Sequence, residues 1–167
     1  MPLLRALLVA NPAATTTSPQ GRDVIAAALS SRCQLEVAAT QGRGDGVALG
    51  TQAAEDQLDL VVVLGGDGTV NEVVNGLMHG QAEEAEGAEE AEGAGRVAQH
   101  PALAIVPGGH TNVLARSLGL PRDPVAATSR LLNSLARGSR RRIGLGRADE
   151  RWFTFCAGLG VDAAVVA

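Results

Sequence analysis

Leu60-Val61-Val62-Val63-Leu64-Gly65-Gly66-Asp67-Gly68-Thr69-Val70-Asn71-Glu72-Val73-Val74-Asn75-Gly76-Leu77 is the stretch on which the fold turns. Its first five residues are apolar and largely β-branched, the pattern of a strand buried on both faces. Three glycines in four positions follow, at Gly65, Gly66 and Gly68. Apolar residues then recur at Val70, Val73, Val74 and Leu77, spaced i, i+3, i+4, i+7, which predicts a helix. A buried strand therefore enters a glycine-rich loop, and the loop enters a helix. Glycine lets backbone N–H groups approach a ligand closely, and a helix start adds unpaired N–H groups and partial positive charge. The natural guest of such a loop is a phosphate.

Outward from this stretch the same unit repeats. Leu3–Ala10 predicts a strand that ends at Asn11-Pro12, followed by a hydroxyl-rich turn through Thr15. Arg22–Ser31 predicts a helix, and Gln34–Thr40 alternates as a second strand. The loop Gly42-Arg43-Gly44-Asp45-Gly46 leads into a predicted helix Val47–Asp56, for which Asp45 is a candidate cap. Leu58–Leu64 is the third strand. Pro101–Val106 is the fourth, ending at Pro107-Gly108-Gly109-His110-Thr111-Asn112 before predicted helices Val113–Leu118 and Val125–Ala136. From Ile143 the texture changes: Ile143–Arg147 and Arg151–Cys156 read as paired strands joined by Ala148-Asp149-Glu150.

Strands alternating with helices imply an α/β fold, a parallel sheet with helices on both faces. Ligands in such sheets bind beyond the carboxyl ends of the strands. The loops at Asn11, Gly65 and Pro107 all follow strand ends, so they share one rim and point to one phosphate site.

Composition narrows the field. Hydrophobic residues make up 46% of the 167, enough for a core. Trp152, Phe153 and Phe155 are the only aromatics, so the core before them must be aliphatic. Net charge is −4, which argues against general nucleic-acid binding, although the acidic stretch Gln81–Gly95 dominates that figure. This stretch has no apolar face and reads as a disordered surface insertion. No apolar run reaches the roughly 18 residues of a membrane span. A signal-peptide pattern is missing from the start, so a cytoplasmic protein is expected. Cys33 and Cys156 stand far apart and read as small buried hydrophobes. Arg137, Arg140, Arg141 and Arg142 form a basic run, a solvated surface or a contact for anionic phosphate or lipid head groups.

All 14 basic residues are arginine. A P-loop needs its lysine, so a Walker-type site is excluded. The dinucleotide fingerprint also fails, because Asn71 stands where its third glycine belongs. A carboxylate at Asp67 beside a polyphosphate is repulsive unless Mg²⁺ intervenes or a proton is to be taken from an acceptor hydroxyl. Both resolutions belong to phosphoryl transfer. Alternatively, Asp67 accepts backbone N–H bonds and holds the turn. Asn71 and Glu72 lie in the first helical turn, within reach of the same ligand.

Gly65-Gly66-Asp67-Gly68-Thr69-Val70-Asn71-Glu72-Val73 resembles the signature of the diacylglycerol kinase catalytic domain family, which includes bacterial lipid kinases, sphingosine kinases and ceramide kinase. Asn11-Pro12 and Pro107-Gly108-Gly109-x-Thr111-Asn112 are similar to its flanking motifs, and Gly158-Leu159-Gly160-Val161-Asp162-Ala163 to the opening of its second domain. His110 departs from the usual Thr or Ser, and Ala13-Ala14-Thr15-Thr16-Thr17 replaces a turn that usually carries a glycine.

The resemblance implies a Rossmann-like, phosphofructokinase-like N-terminal domain over residues 1–142, with 81–99 as the insertion. Residues 143–167 would begin a truncated C-terminal β-sandwich. It implies an ATP-dependent lipid kinase with Mg²⁺, acting on a lipid at the membrane surface as a cytoplasmic or peripheral protein. Asp67 would be catalytic, working between the nucleotide phosphates and the acceptor hydroxyl. ATP would contact Asn11, Pro12, Thr15, Thr40, Gly65, Gly66, Asp67, Gly68, Thr69, Asn71, Glu72, Gly108, Gly109, Thr111 and Asn112. Strands left unpartnered near the end allow self-association as a homodimer. Two other readings stay open: an NAD kinase-like or phosphofructokinase-like enzyme with a related loop, and a catalytically inactive nucleotide-binding or regulatory module.

Overall fold

The computed structural model describes residues 3–14, 18–79 and 100–156. Thr15, the acidic insertion 81–99, the glycine segment 158–162 and the apolar run 163–167 lie outside the described residues. Four strands, β1 (Leu4–Ala10), β2 (Cys33–Ala39), β3 (Leu60–Gly65) and β4 (Ala102–Pro107), form one parallel sheet in the order β2-β1-β3-β4. Five helices accompany them: α1 (Pro19–Ser30), α2 (Asp45–Glu55), α3 (Asp67–Leu77), α4 (Val113–Ser117) and α5 (Pro124–Ala136). Strands β5 (Gly146–Ala148) and β6 (Arg151–Phe153) make a separate antiparallel hairpin.

The sheet is covered on both faces, as the alternation of elements predicts. Leu60, Val62 and Leu64 of β3 pack with Ile25 and Leu29 of α1 and Ala127 of α5. Val61 and Val63 point the other way, onto Ala53 of α2, Val70, Val73 and Leu77 of α3, and Leu114 of α4. Every residue of β3 is buried, which explains its unbroken apolar run. Each such Val or Leu contributes about 1.5–3 kcal/mol of burial. Strand β2 lies at an edge, and its alternating pattern follows from that half-exposed position.

Three boundaries differ from the expected ones in ways that matter. Helix α3 begins at Asp67, because Gly66 stays extended (φ −91°, ψ −177°) and serves as its N-cap. The glycine-rich loop is therefore short, and Gly68 sits inside the first helical turn. Helix α2 begins at Asp45 rather than Val47. Asp45 does not cap it; Oδ2 turns back to accept from the N–H groups of Gln41 (2.7 Å) and Gly42 (3.0 Å). The hairpin is also shorter than the strands expected over 143–147 and 151–156. Its turn passes through Asp149 at φ 52°, and the Phe153 ring closes over Gly146.

Helices α2 and α3 cross at unusually short range. A Cβ on Gly76 would run into the Val47 carbonyl and lie 2.7 Å from Thr51 N, while one on Gly50 would lie 2.5 Å from the Val73 carbonyl. The hairpin docks on α3 through Asn75, whose amide pairs with a backbone as a strand would. Asn75 Nδ2 donates to the Trp152 carbonyl (2.9 Å), and Trp152 N–H donates to Asn75 Oδ1 (2.9 Å). Arg147 stacks 5.6 Å from the centroid of the Trp152 ring.

The fold generates four expectations. Gly76→Ala destabilises the chain by about 2 kcal/mol or more in denaturant unfolding, since backbone cannot move aside as a side chain does. Gly68→Ala, which meets nothing within 4 Å, is neutral or stabilises by about 0.5–1 kcal/mol. Asn75→Ala frees the hairpin, read as a red shift in the fluorescence of Trp152, the chain's single tryptophan. Burial, reinforced by the charge of Asp59, pushes the Cys33 thiol above its ordinary 9.0. The native state then holds a proton that the unfolded chain releases, so stability falls as pH rises above about 9. Cys33→Ala flattens that alkaline slope in pH-dependent melts.

Candidate active site

The carboxyl ends of the strands are tied sideways one residue beyond the sheet. Thr40 N–H donates to the Ala10 carbonyl (2.9 Å), Asn11 N–H to the Leu64 carbonyl (3.0 Å), and Gly108 N–H to the Gly65 carbonyl (2.9 Å). Four loops thus leave the sheet side by side. The chain goes from β1 outward to β2, then crosses back to β3 on the other side of β1. The rim between β1 and β3 is the topological switch point, where open α/β sheets bind ligands.

A cavity of about 630 Å³ opens on this rim. It is lined from β1 by Asn11 to Ala14, from β2 by Thr40 to Arg43, from β3 and α3 by Gly66, Gly68, Thr69 and Glu72, and from β4 by Gly109 and His110. Gly66 and Gly109 meet back to back. A Cβ on Gly109 would stand 2.8 Å from the Gly66 Cα, so the end of β4 does not tolerate a side chain there, whereas one on Gly66 would reach only van der Waals contact at 3.4 Å. Part of the cavity wall, at Gly66, Gly68 and Gly109, is bare backbone. Asn11 braces it: Nδ2 donates to Thr69 Oγ1 (2.9 Å) and Oδ1 accepts from Ala13 N–H (2.9 Å). Asn112, in the left-handed region (φ 44°), brackets Gly109 with its own amide, accepting from Gly109 N–H (3.1 Å) and donating to the Gly109 carbonyl.

Helix starts distinguish this rim electrostatically. Ser18 Oγ caps α1 through Gly21 N–H (3.1 Å), and Asp123 Oδ2 caps α5 through Ala126 N–H (2.7 Å). The start of α2 is capped from a distance by Glu72, whose oxygens accept from Gly44 N–H (3.1 Å) and Gly46 N–H (3.2 Å). The start of α4 is capped likewise by Asp67, which accepts from Val113 N–H (2.9 Å), Leu114 N–H (3.2 Å) and the Thr111 hydroxyl (3.1 Å). Among the described residues, α3 is the one helix whose first turn no side chain caps, and Gly66, Gly68 and Thr69 present that turn to the cavity. Its free N–H groups and positive dipole end suit an anion.

The structure brings together most of the residues that the sequence singled out. Asn11, Pro12, Thr40, Gly66, Gly68, Thr69, Glu72 and Gly109 line the cavity. Gly65 and Gly108 lie beneath it, in backbone contact with each other. Thr111 and Asn112 line a second cavity of about 260 Å³ that shares Gly109 and His110 with the first. Asn71 lines neither; its Oδ1 is buried without a hydrogen-bond partner among the described residues, and its carbonyl accepts from Asn75. Asp67 lines neither as well, because its carboxylate is turned onto the start of α4.

Beyond Thr40, sequence reasoning did not anticipate the part played by Gln41 to Arg43 of the β2 loop, nor the long-range capping by Glu72. The loop was identifiable in principle, since it follows a strand end like the other three. No local signal announces the Glu72 contact, which joins residues 26 and 28 apart.

Among the described residues no three His, Cys, Asp or Glu side chains gather as a metal site. Glu72, which lines the cavity, and Asp67 at the start of α3 have both oxygens engaged by N–H or O–H donors. That donor set does not fit a Mg²⁺ cage built by the protein alone.

Comparison with known proteins agrees with this geometry. The chain is 33% identical over 122 residues to a diacylglycerol kinase of Bacillus subtilis (strain 168), covering 73% of this chain and 34% of that protein. It is 33% identical over 147 residues to a Chromohalobacter salexigens protein named "Probable lipid kinase YegS-like", covering 88% and 41%. The crystal structure of a diacylglycerol kinase from Bacillus anthracis str. Sterne superposes with a TM-score of 0.70 at 26% identity, over 92% of this chain and 46% of that one. The chain thus spans between a third and a half of the length of these relatives. Residues 5–148 match the model of the diacylglycerol kinase catalytic domain, and the chain belongs to that family.

Proposed function

We propose that the chain forms the nucleotide-binding part of an ATP-dependent lipid kinase, which transfers the γ-phosphoryl group of ATP to a lipid hydroxyl. The observation that carries this reading is the uncapped start of α3 facing a cavity at the topological switch point. A polyphosphate seated there receives N–H donors from Gly66, Gly68 and Thr69 over a floor that Gly66 and Gly109 keep free of side chains. Thr40 and Asn11 border the same space. In this reading residues 1–142 are the nucleotide-binding unit, and the hairpin from 146 opens a second one. The lipid acceptor is met at a membrane surface from the cytoplasmic side. Among the described residues no helix is long and apolar enough to cross a membrane.

Phosphoryl transfer asks little covalent chemistry of a protein; positioning and charge stabilisation carry it. Asp67 serves the reaction by holding the Gly109–Leu114 turn against the start of α3, which fixes the cavity floor. Its carboxylate is spent on that turn, so the repulsion expected between it and the phosphates is offset by the N–H dipoles it accepts. Mg²⁺ enters as part of the substrate, carried on the nucleotide phosphates and its own waters.

Calorimetric titration of the chain with Mg-ATP tests the reading. Saturable binding is expected, with Asp67→Ala weakening it at least about tenfold, or 1.4 kcal/mol, through loss of the turn. Mg²⁺ without nucleotide gives no binding heat. Absence of any Mg-ATP binding by the native chain overturns the nucleotide reading, and tight Mg²⁺ binding on its own overturns the substrate-borne metal.

A further inference from the structure

We infer that Arg43 is a phosphate-clamping residue of the nucleotide site, a specificity determinant that favours di- and triphosphates over monophosphates. The inference rests on the nucleotide reading above and adds a residue to it.

The charge balance of the cavity motivates it. The chain contains no lysine, and Arg43 is the only arginine among the described residues lining the cavity. Glu72, which also lines it, contributes the opposite charge. A nucleoside triphosphate is strongly anionic, and N–H dipoles with a single substrate-borne Mg²⁺ leave part of that charge unmatched. A cation from the protein is therefore needed at the rim, and Arg43 is the arginine placed there.

The β2 loop is built to present this side chain. Asp45 accepts from the N–H groups of Gln41 and Gly42 on one side of Arg43. Glu72 accepts from those of Gly44 and Gly46 on the other. Two carboxylates thus pin the backbone before and after Arg43, and four N–H groups that would otherwise be open to a ligand are taken. Arg43 is what the loop still offers. Its side chain is exposed, and among the described residues its guanidinium has no carboxylate or carbonyl partner. By contrast, Arg22 pairs with Asp23, and Arg130 donates to the Gly119 carbonyl. A guanidinium presents a planar fork of donors that matches phosphate oxygens two at a time. With its backbone already held, Arg43 loses only side-chain freedom on engaging a phosphate.

The test compares native chain, Arg43→Ala and Arg43→Lys in calorimetric titrations with AMP, Mg-ADP, Mg-ATP and inorganic tripolyphosphate. Arg43→Ala is expected to weaken Mg-ATP about ten- to a hundredfold, Mg-ADP less and AMP within twofold, with tripolyphosphate weakened in parallel with ATP. Arg43→Lys recovers part of the loss, because the charge returns without the fork. Arg43 is exposed, so both variants keep the native melting temperature, which confirms that a loss is not unfolding. Equal weakening for AMP, ADP and ATP overturns the proposal, since Arg43 then meets base or ribose or merely shapes the loop. Unchanged Mg-ATP affinity in Arg43→Ala overturns it while leaving the nucleotide reading intact. If the native chain binds neither Mg-ATP nor tripolyphosphate, both readings fall together.

Discussion

The open N-terminus of α3 is the constraint to which the rest of the rim answers. A helix start carries unsatisfied N–H groups, and a folded chain normally provides an oxygen for them. Here α1 and α5 use their own N-cap side chains, while α2 and α4 borrow Glu72 and Asp67 from α3. Helix α3 therefore caps two neighbours and is capped by neither. Its donors, at the buried end of β3, are left open. Among the described residues, the capping of the other four helix starts leaves that of α3 as the one open to an anion.

Two pairs of glycines make this arrangement possible, each through close approach. Gly66 and Gly109 let the ends of β3 and β4 touch through backbone, which lowers the cavity floor. Gly50 and Gly76 let α2 and α3 cross at short range, which brings the start of α2 near enough for Glu72 to reach it. The second pair lies a full helix length from the chemistry, yet it sets the distance on which the long-range cap depends. Packing and site are thus coupled along α3, from Gly76 at one end to Gly66 at the other.

The acidic residues show why chemistry inferred from a motif needs geometry. A carboxylate beside a phosphate loop invites assignment as base or metal ligand. In this structure the Asp67 and Glu72 carboxylates also tie elements together, accepting N–H groups at the starts of α4 and α2. A tie of this kind is compatible with phosphate binding, because an engaged carboxylate repels an incoming anion less than a free one. It also places the protein's positive contribution elsewhere, on the β2 loop.

The sequence by itself determined the α/β class, the four parallel strands, the helices between them and the rim on which the loops converge. These follow from local periodicity, because a strand buried on both faces and an amphipathic helix each announce themselves within about ten residues. The family resemblance grouped Asn11, Thr40, Gly66, Gly68, Thr69 and Gly109, and these residues line one cavity. Only the tertiary structure decided which way Asp67 and Glu72 face, that Asp45 ties its own loop rather than capping α2, that Asn75 holds the hairpin, and that Arg43 stands at the cavity. Apart from the local Asp45 tie, those outcomes depend on contacts between segments tens of residues apart, such as Asp67 with Val113 or Asn75 with Trp152. A side chain's nearest donor is set there by how closely two elements pack, a distance that no local pattern encodes.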